Sequence, residues 1–201
     1  MLRKTLICSL FVCRSHSEEP NMTKTITRTE QFTAIMNEMT SWFSRSTFRI
    51  NHFLKVWAFA RHIGLSEGLP EDTLFLLEIT ALMHDIGIKP SEEKYGSPAG
   101  KYQELEGPIA ARPILEAHGF SGEQTDRICY LIGHHHTYKN MDGLDYQILV
   151  EADFLVNLFE EGHSRASIEH VREKIFRTAA GKKCLDTLYL GPEGRIPAEE
   201  N

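Results

Sequence analysis

The sequence predicts an all-α fold, a single helical bundle. Apolar residues recur at helical spacing from about Thr27 onward. No stretch alternates convincingly in the manner of a strand. Most periodic runs also open on a capping residue and close on glycine. With 201 residues, 41% of them hydrophobic and 25% charged, the chain is long enough to bury one sizeable core.

The first helix should open on Thr27, which forms a capping-box pattern with Glu30 and precedes a stripe of Phe32, Ile35, Met36, Met39 and Trp42. Ser46 or Thr47 caps the next, which carries His52 and ends near Gly64. Pro70, Glu71 and Asp72 suit the first turn of a third helix, apolar from Leu74 to Met83, that leads to His84 and is stopped by Gly87, with Pro90 beyond. Lys89 to Gln103 reads as a long polar connection holding Gly96, Pro98 and Gly100, in which Lys94, Tyr95 and Lys101 could serve as a lid. Pro108 fits the first turn of a helix ending near Gly119, with Pro113 interrupting it. Ser121 and Gln124 start a helix expected to run into His134, His135 and His136. Asn140 and Gly143 lead to the helix bearing Asp153, which stops at Gly162. Ser164 or Ser167 opens an amphipathic helix with Ile168, Val171, Ile175 and Phe176, ended by Gly181, and Cys184 to Leu190 adds a last turn or two.

These elements place the folded domain at residues 25–190, with a flexible tail over 191–201. Residues 1–24 read as a dispensable leader, with Met22 as an alternative start; a cleaved export signal is the rival reading of that basic and apolar stretch. Its apolar run is too short to span a bilayer, so no membrane partner is expected. A net charge of −6 argues against binding a nucleic-acid polymer. Four cysteines without a CxxC pair fit a reducing cytoplasm.

The chemistry concentrates at His84-Asp85, which closes the most apolar helix. An unpaired buried carboxylate costs several kcal/mol, so this pair needs a partner. His52 and Asp153 lie in comparable apolar helical settings. A divalent cation held by His52, His84, Asp85 and Asp153 would satisfy all four, given neutral imidazole and ionised carboxylate. Lys55 and Lys89, close in sequence to these residues, are the cations available to hold a substrate phosphate.

The order His52 … His84-Asp85 … Asp153, with the His-Asp-Ile-Gly core at 84–87, resembles the HD-domain superfamily of metal-dependent phosphohydrolases over about residues 50–157. The resemblance implies an HD-type bundle and a hydrolase acting on a phosphoester of a nucleotide or another small phosphorylated metabolite. It implies one divalent ion, or two, drawn from Mn, Mg, Zn, Ni, Co or Fe. In members with two ions a further ligand begins the helix after the polar connection, a place that Glu106 takes here, where histidine is commoner. One or two more ligands fall where this chain has His134 to His136, with His135 favoured, His134 next, and His136 free to reach substrate. Asp85 would then bridge the ions, and a nearby histidine (His135) or a lysine would protonate the leaving oxygen. Two other readings stay open: a di-iron oxygenase of the same fold, and a non-catalytic sensor that binds a nucleotide.

Overall fold

The computed structural model describes residues 26–191. The expected leader at 1–24 and nearly all of the expected tail lie outside that span. Every regular element among the described residues is helical, as the periodicity predicts. The order is α1 (Arg28–Trp42), α2 (Thr47–Ser66), α3 (Glu71–Met83), a 3-10 turn (His84–Gly87), α4 (Ile88–Tyr95), α5 (Gly100–Ala117), α6 (Gly122–Ile132), α7 (Leu144–Glu160), α8 (Arg165–Lys174), α9 (Ala179–Leu185) and a π-type segment (Asp186–Leu190).

The caps follow the sequence closely at several helix starts. Thr27 and Glu30 make a reciprocal capping box on α1, and Ser121 and Gln124 make another on α6. Ser46 caps α2. Glu71 and Asp72 fill the first turn of α3, where carboxylates favour the positive end of the helix dipole.

α3 is the pivot of the molecule. Leu77 and Ala81 belong to a core shared with α2, α7 and the C-terminal helices, through Val56, Ala60, Ile148, Ala152, Leu155 and Leu185. Ile79, Leu82 and Met83 belong to a second core with α1, α2, α5 and α6, through Ile35, Met39, Phe53, Leu115 and Ile128. A helix buried on both faces must be apolar nearly all round, which is why Leu74–Met83 reads so strongly. Its C-terminal end delivers His84 and Asp85 to the junction of the two cores.

Four local expectations are corrected. Lys89–Gln103 is not a long loop: Ile88–Tyr95 is helical and closes on Gly96 at φ 65°, leaving only residues 96–99 as connection. Pro90 sits in the first turn of α4, where its missing N–H deletes no helical hydrogen bond. Lys94 and Tyr95 both donate to Glu106 Oε1 at 2.7 Å, which pins α4 to α5 rather than forming a lid. Pro108 does not start its helix, since α5 begins at Gly100 and contains both Pro108 and Pro113. Each proline deletes one backbone donor, and α5 continues because α4, the 3-10 turn and α6 pack along it. Gly181, expected to end α8, lies inside α9, whose N-terminus Thr178 caps.

That last correction has a buried cause. Glu151 on α7 is fully buried and accepts from the backbone N–H of Arg177 and of Thr178, from Thr178 Oγ1 and from Gln147. A carboxylate with this many donors ties the α8–α9 connection onto α7. Glu151→Ala should destabilise the fold by about 3 kcal/mol, because it strands several buried donors at once. Urea unfolding monitored by circular dichroism measures this; an unchanged midpoint would refute it.

Candidate metal centre

α2, the end of α3, the turn after α6, and α7 bring six polar side chains together. His52 is buried on α2, Asp153 on α7 and His84 in the 3-10 turn. His52 Nε2 lies 3.2 Å from His84 Nε2 and 3.2 Å from Asp153 Oδ1, and His84 Nε2 lies 3.5 Å from the same oxygen. Asp85, with 18% of its side chain exposed, places Oδ2 3.6 Å from both nitrogens. Its other oxygen, Oδ1, lies 3.7 Å from His135 Nε2. The side chains form two donor groups able to hold an ion: His52, His84 and Asp153, and beside them Asp85, His135 and His136.

The histidine tautomers follow from their partners. A carbonyl oxygen only accepts, so His84 Nδ1 donates to Ala81 O at 2.9 Å and His135 Nδ1 donates to Ile132 O at 2.7 Å. Each neutral ring therefore turns an unprotonated Nε2 into the cluster. His52 Nδ1 faces Glu160 Oε2 at 2.8 Å, which favours the same tautomer. Two facing lone pairs 3.2 Å apart repel unless a positive charge sits between them. Ligand nitrogens sharing one ion at about 2.1 Å stand about 3.0 to 3.4 Å apart, so the spacing suits a cation. His135 Nε2, His136 Nε2 and Asp153 Oδ1 are buried atoms without a hydrogen-bond partner. Orphaned buried donors and acceptors are costly, and a bound ion would satisfy them.

In the metal-free protein a proton competes with a cation for this cluster. Burial opposes a charge on His52, yet Asp153, Asp85 and Glu160 outweigh it and raise its pKa to about 9. His84 is raised in the same way, burial and His52 being overcome by Asp85 and Asp153. Burial would raise both carboxyls, but the histidines hold Asp85 and Asp153 below the usual range. His136 goes the other way: burial and the neighbouring His135 lower it to about 4, so it stays neutral at physiological pH.

The remaining expected residues fall outside the two groups. Glu106 is taken by Lys94 and Tyr95. α6 ends at Ile132, so the three histidines do not share a helix as expected but lie in the following turn. There His134 stacks on Tyr130 at 4.2 Å and donates to its carbonyl, while His135 and His136 both reach the cluster. Glu104 braces this turn through the His136 N–H and the Thr137 hydroxyl. The Tyr146 hydroxyl lies 2.5 Å from the His134 and Thr137 carbonyls, serving one at a time. Lys89 donates to the Trp42 carbonyl, and Lys55 is held by Glu160 at 2.5 Å. The reading of the sequence passed over His136 as a ligand and Glu160 altogether. The latter lies seven residues after Asp153, two turns along the same face of α7, and that spacing was the available signal.

Gly87 proves to be a contact glycine. A Cβ there would sit 2.5 Å from the Gln103 carbonyl oxygen and 2.9 Å from the Gly107 nitrogen, both backbone. Its absence lets the His84–Gly87 turn lie directly on α5. Gly87→Ala should destabilise the protein by about 2 kcal/mol through overpacking, read by urea unfolding, and should weaken metal binding by shifting His84 and Asp85. Unchanged stability would show that α5 yields freely.

The model of the HD domain matches residues 49–177. The chain belongs to the HD domain family. Its fold resembles the crystal structure of a predicted HD superfamily hydrolase from an uncultured Thermotogales bacterium. The TM-score is 0.58 and the identity 24%, over 79% of this chain and 84% of that one. No curated protein matches. Within this HD domain, no helix among the described residues is long and apolar enough to cross a membrane.

Proposed function

We propose that this HD domain is a metal-dependent hydrolase that cleaves a phosphoester of a nucleotide or another small phosphorylated metabolite. The observation that carries the proposal is the double use of Asp85, one oxygen facing His52 and His84 and the other facing His135. A carboxylate so placed can be shared by two adjacent ions, the arrangement suited to in-line displacement at phosphorus.

His52, His84, Asp85 and Asp153 would hold the first ion, and Asp85, His135 and His136 a second. When bound, such ions supply Lewis acidity toward a phosphoryl oxygen and lower the pKa of water toward neutrality. The protein's contribution is to present neutral imidazoles and ionised carboxylates in fixed positions. Ala81 and Ile132 lock two of the rings through their carbonyls, so little reorganisation is left when charge develops. His135 is tied at Nδ1 and faces Asp85 through Nε2, which suits a ligand better than the leaving-group acid expected from sequence.

Elemental analysis of the purified protein, with a panel of nucleotides and phosphomonoesters, tests this reading. The expected result is one to two bound transition-metal ions per chain, and phosphate release that a chelator abolishes and manganese restores. Metal-free protein that releases no phosphate under any divalent cation would overturn it.

A further inference from the structure

His52 differs from His84 and His135 in what holds its ring. His84 and His135 donate from Nδ1 to neutral carbonyls of their own local turns. His52 Nδ1 instead meets a carboxylate 108 residues away, Glu160 Oε2, at 2.8 Å. The Glu160 side chain is only 6% exposed, so this is not a solvated surface pair. Its second oxygen accepts from Lys55 Nζ at 2.5 Å, and that lysine side chain is 40% exposed. Lys55 also lies 5.6 Å from the centre of the Phe159 ring. The result is a chain of three groups, Lys55–Glu160–His52, running from the rim of α2 through the end of α7 to the cluster.

We propose that Glu160 is a positioning residue for the metal centre: it fixes His52 as a donor through Nε2, and Lys55 serves to hold Glu160 rather than to bind substrate phosphate. The inference rests on the metal-dependent reading above. A carboxylate accepting from Nδ1–H selects one tautomer, holds the ring plane and makes the opposite nitrogen more basic. Lys55 balances the buried negative charge, which would otherwise be costly so far from water. Committed to Glu160, its ammonium is not free to meet an incoming anion without giving up that pair.

The test uses full-length protein stripped of metal and titrated with cobalt(II), followed by calorimetry and by visible absorption. Wild-type protein should bind cobalt and develop the absorption of nitrogen- and oxygen-ligated ions; failure to bind would overturn the metal reading, and the positioning role with it. Given wild-type binding, Glu160→Ala should weaken cobalt affinity by about 10- to 100-fold. Glu160→Gln keeps an amide oxygen able to accept from Nδ1 and should recover affinity to within about fivefold of wild type. Lys55→Ala loosens Glu160 but keeps the His52–Glu160 hydrogen bond, so it should weaken affinity by less than about fivefold, well short of the loss in Glu160→Ala. Equal losses in Glu160→Ala and Lys55→Ala would mean that the pair merely pins α2 to α7, and would overturn the proposal while leaving the metal reading intact. So would unchanged cobalt affinity in Glu160→Ala. Should Glu160→Ala not fold, Glu160→Gln decides: a loss as large as 100-fold there, in protein with native circular dichroism, would rule out hydrogen-bond acceptance as the means of positioning.

Discussion

Asp85→Ala should reduce phosphoester turnover by about 10³-fold or more while leaving helical content unchanged. The size of the effect follows from the position of the carboxylate. Its two oxygens face His52 and His84 on one side and His135 on the other, so truncation removes a shared ligand from both donor groups together. It also removes one of the two carboxylates among the four imidazoles of the two donor groups, so a cation bound there would meet a weaker field. The fold should survive because Asp85 belongs to neither apolar core and lies on a short 3-10 turn with part of its side chain exposed. Phosphate release at saturating manganese, with circular dichroism of the same sample, measures both halves. Turnover within tenfold of wild type in the folded variant would sink the shared-carboxylate mechanism. Asp85→Asn refines the result. It keeps the shape and one neutral oxygen, so a loss nearly as large would assign the effect to charge rather than to packing.

What the sequence shows of this molecule, and what it hides, divides along physical lines. α1, α2 and α6 announce their starts because a capping side chain must stand at a fixed offset from the first free N–H groups. α3 is unmistakable because burial on two sides forces apolarity nearly all round, Glu78 and Thr80 being the buried exceptions. His52, His84, Asp85 and Asp153 stand out as ligand-type residues in strips that otherwise exclude charge, and in the structure their donor atoms meet. α4 was hidden because only Ile88 and Ser91 are buried along it, too few to draw a stripe. The histidine triplet lies off the helix because α6 ends at Ile132, with Gly133 as its C-cap, four residues short of His136. On a helix, His135 and His136 would point about 100° apart. In a turn braced by Glu104 and Tyr146 both reach the cluster. Glu160 is easily overlooked because an acidic residue at the end of a helix, beside Glu161, reads as solvated surface. Its seven-residue offset from Asp153 hints otherwise, and the long-range contact with His52 shows it.

Metal uptake should depend steeply on pH between about 6 and 9, rising as the solution becomes more alkaline. Binding requires neutral imidazole, and in the metal-free protein the raised pKa of His52, about 9, means that its ring carries a proton at pH 7. His84 is raised as well, so a cation must displace protons to enter. Affinity should therefore climb through this range and level off once His52 is neutral in the free protein. Calorimetry at pH 7 in buffers of different ionisation enthalpy should show proton release on binding. The same shifts set the stability of the metal-free fold, with signs that oppose the metal's. A histidine whose pKa is raised from 6.5 to about 9 on folding stabilises the protein fully below 6.5, and that contribution is lost as pH rises through 9. Asp85 and Asp153, lowered on folding, contribute above the ordinary carboxylate pKa, and that part is lost only as pH falls through their depressed values. Because His136, lowered from 6.5 to about 4, costs stability as pH falls below 6.5, the metal-free protein should be most stable near pH 6.5 and weaken toward pH 9. The stabilisation conferred by a fixed excess of manganese should grow over the same interval. Thermal melts of metal-free and manganese-loaded protein at pH 6 and pH 8.5 compare the two trends directly. A manganese-induced rise in Tm that is equal or larger at pH 6 would mean that protons and cation do not compete for His52 and His84.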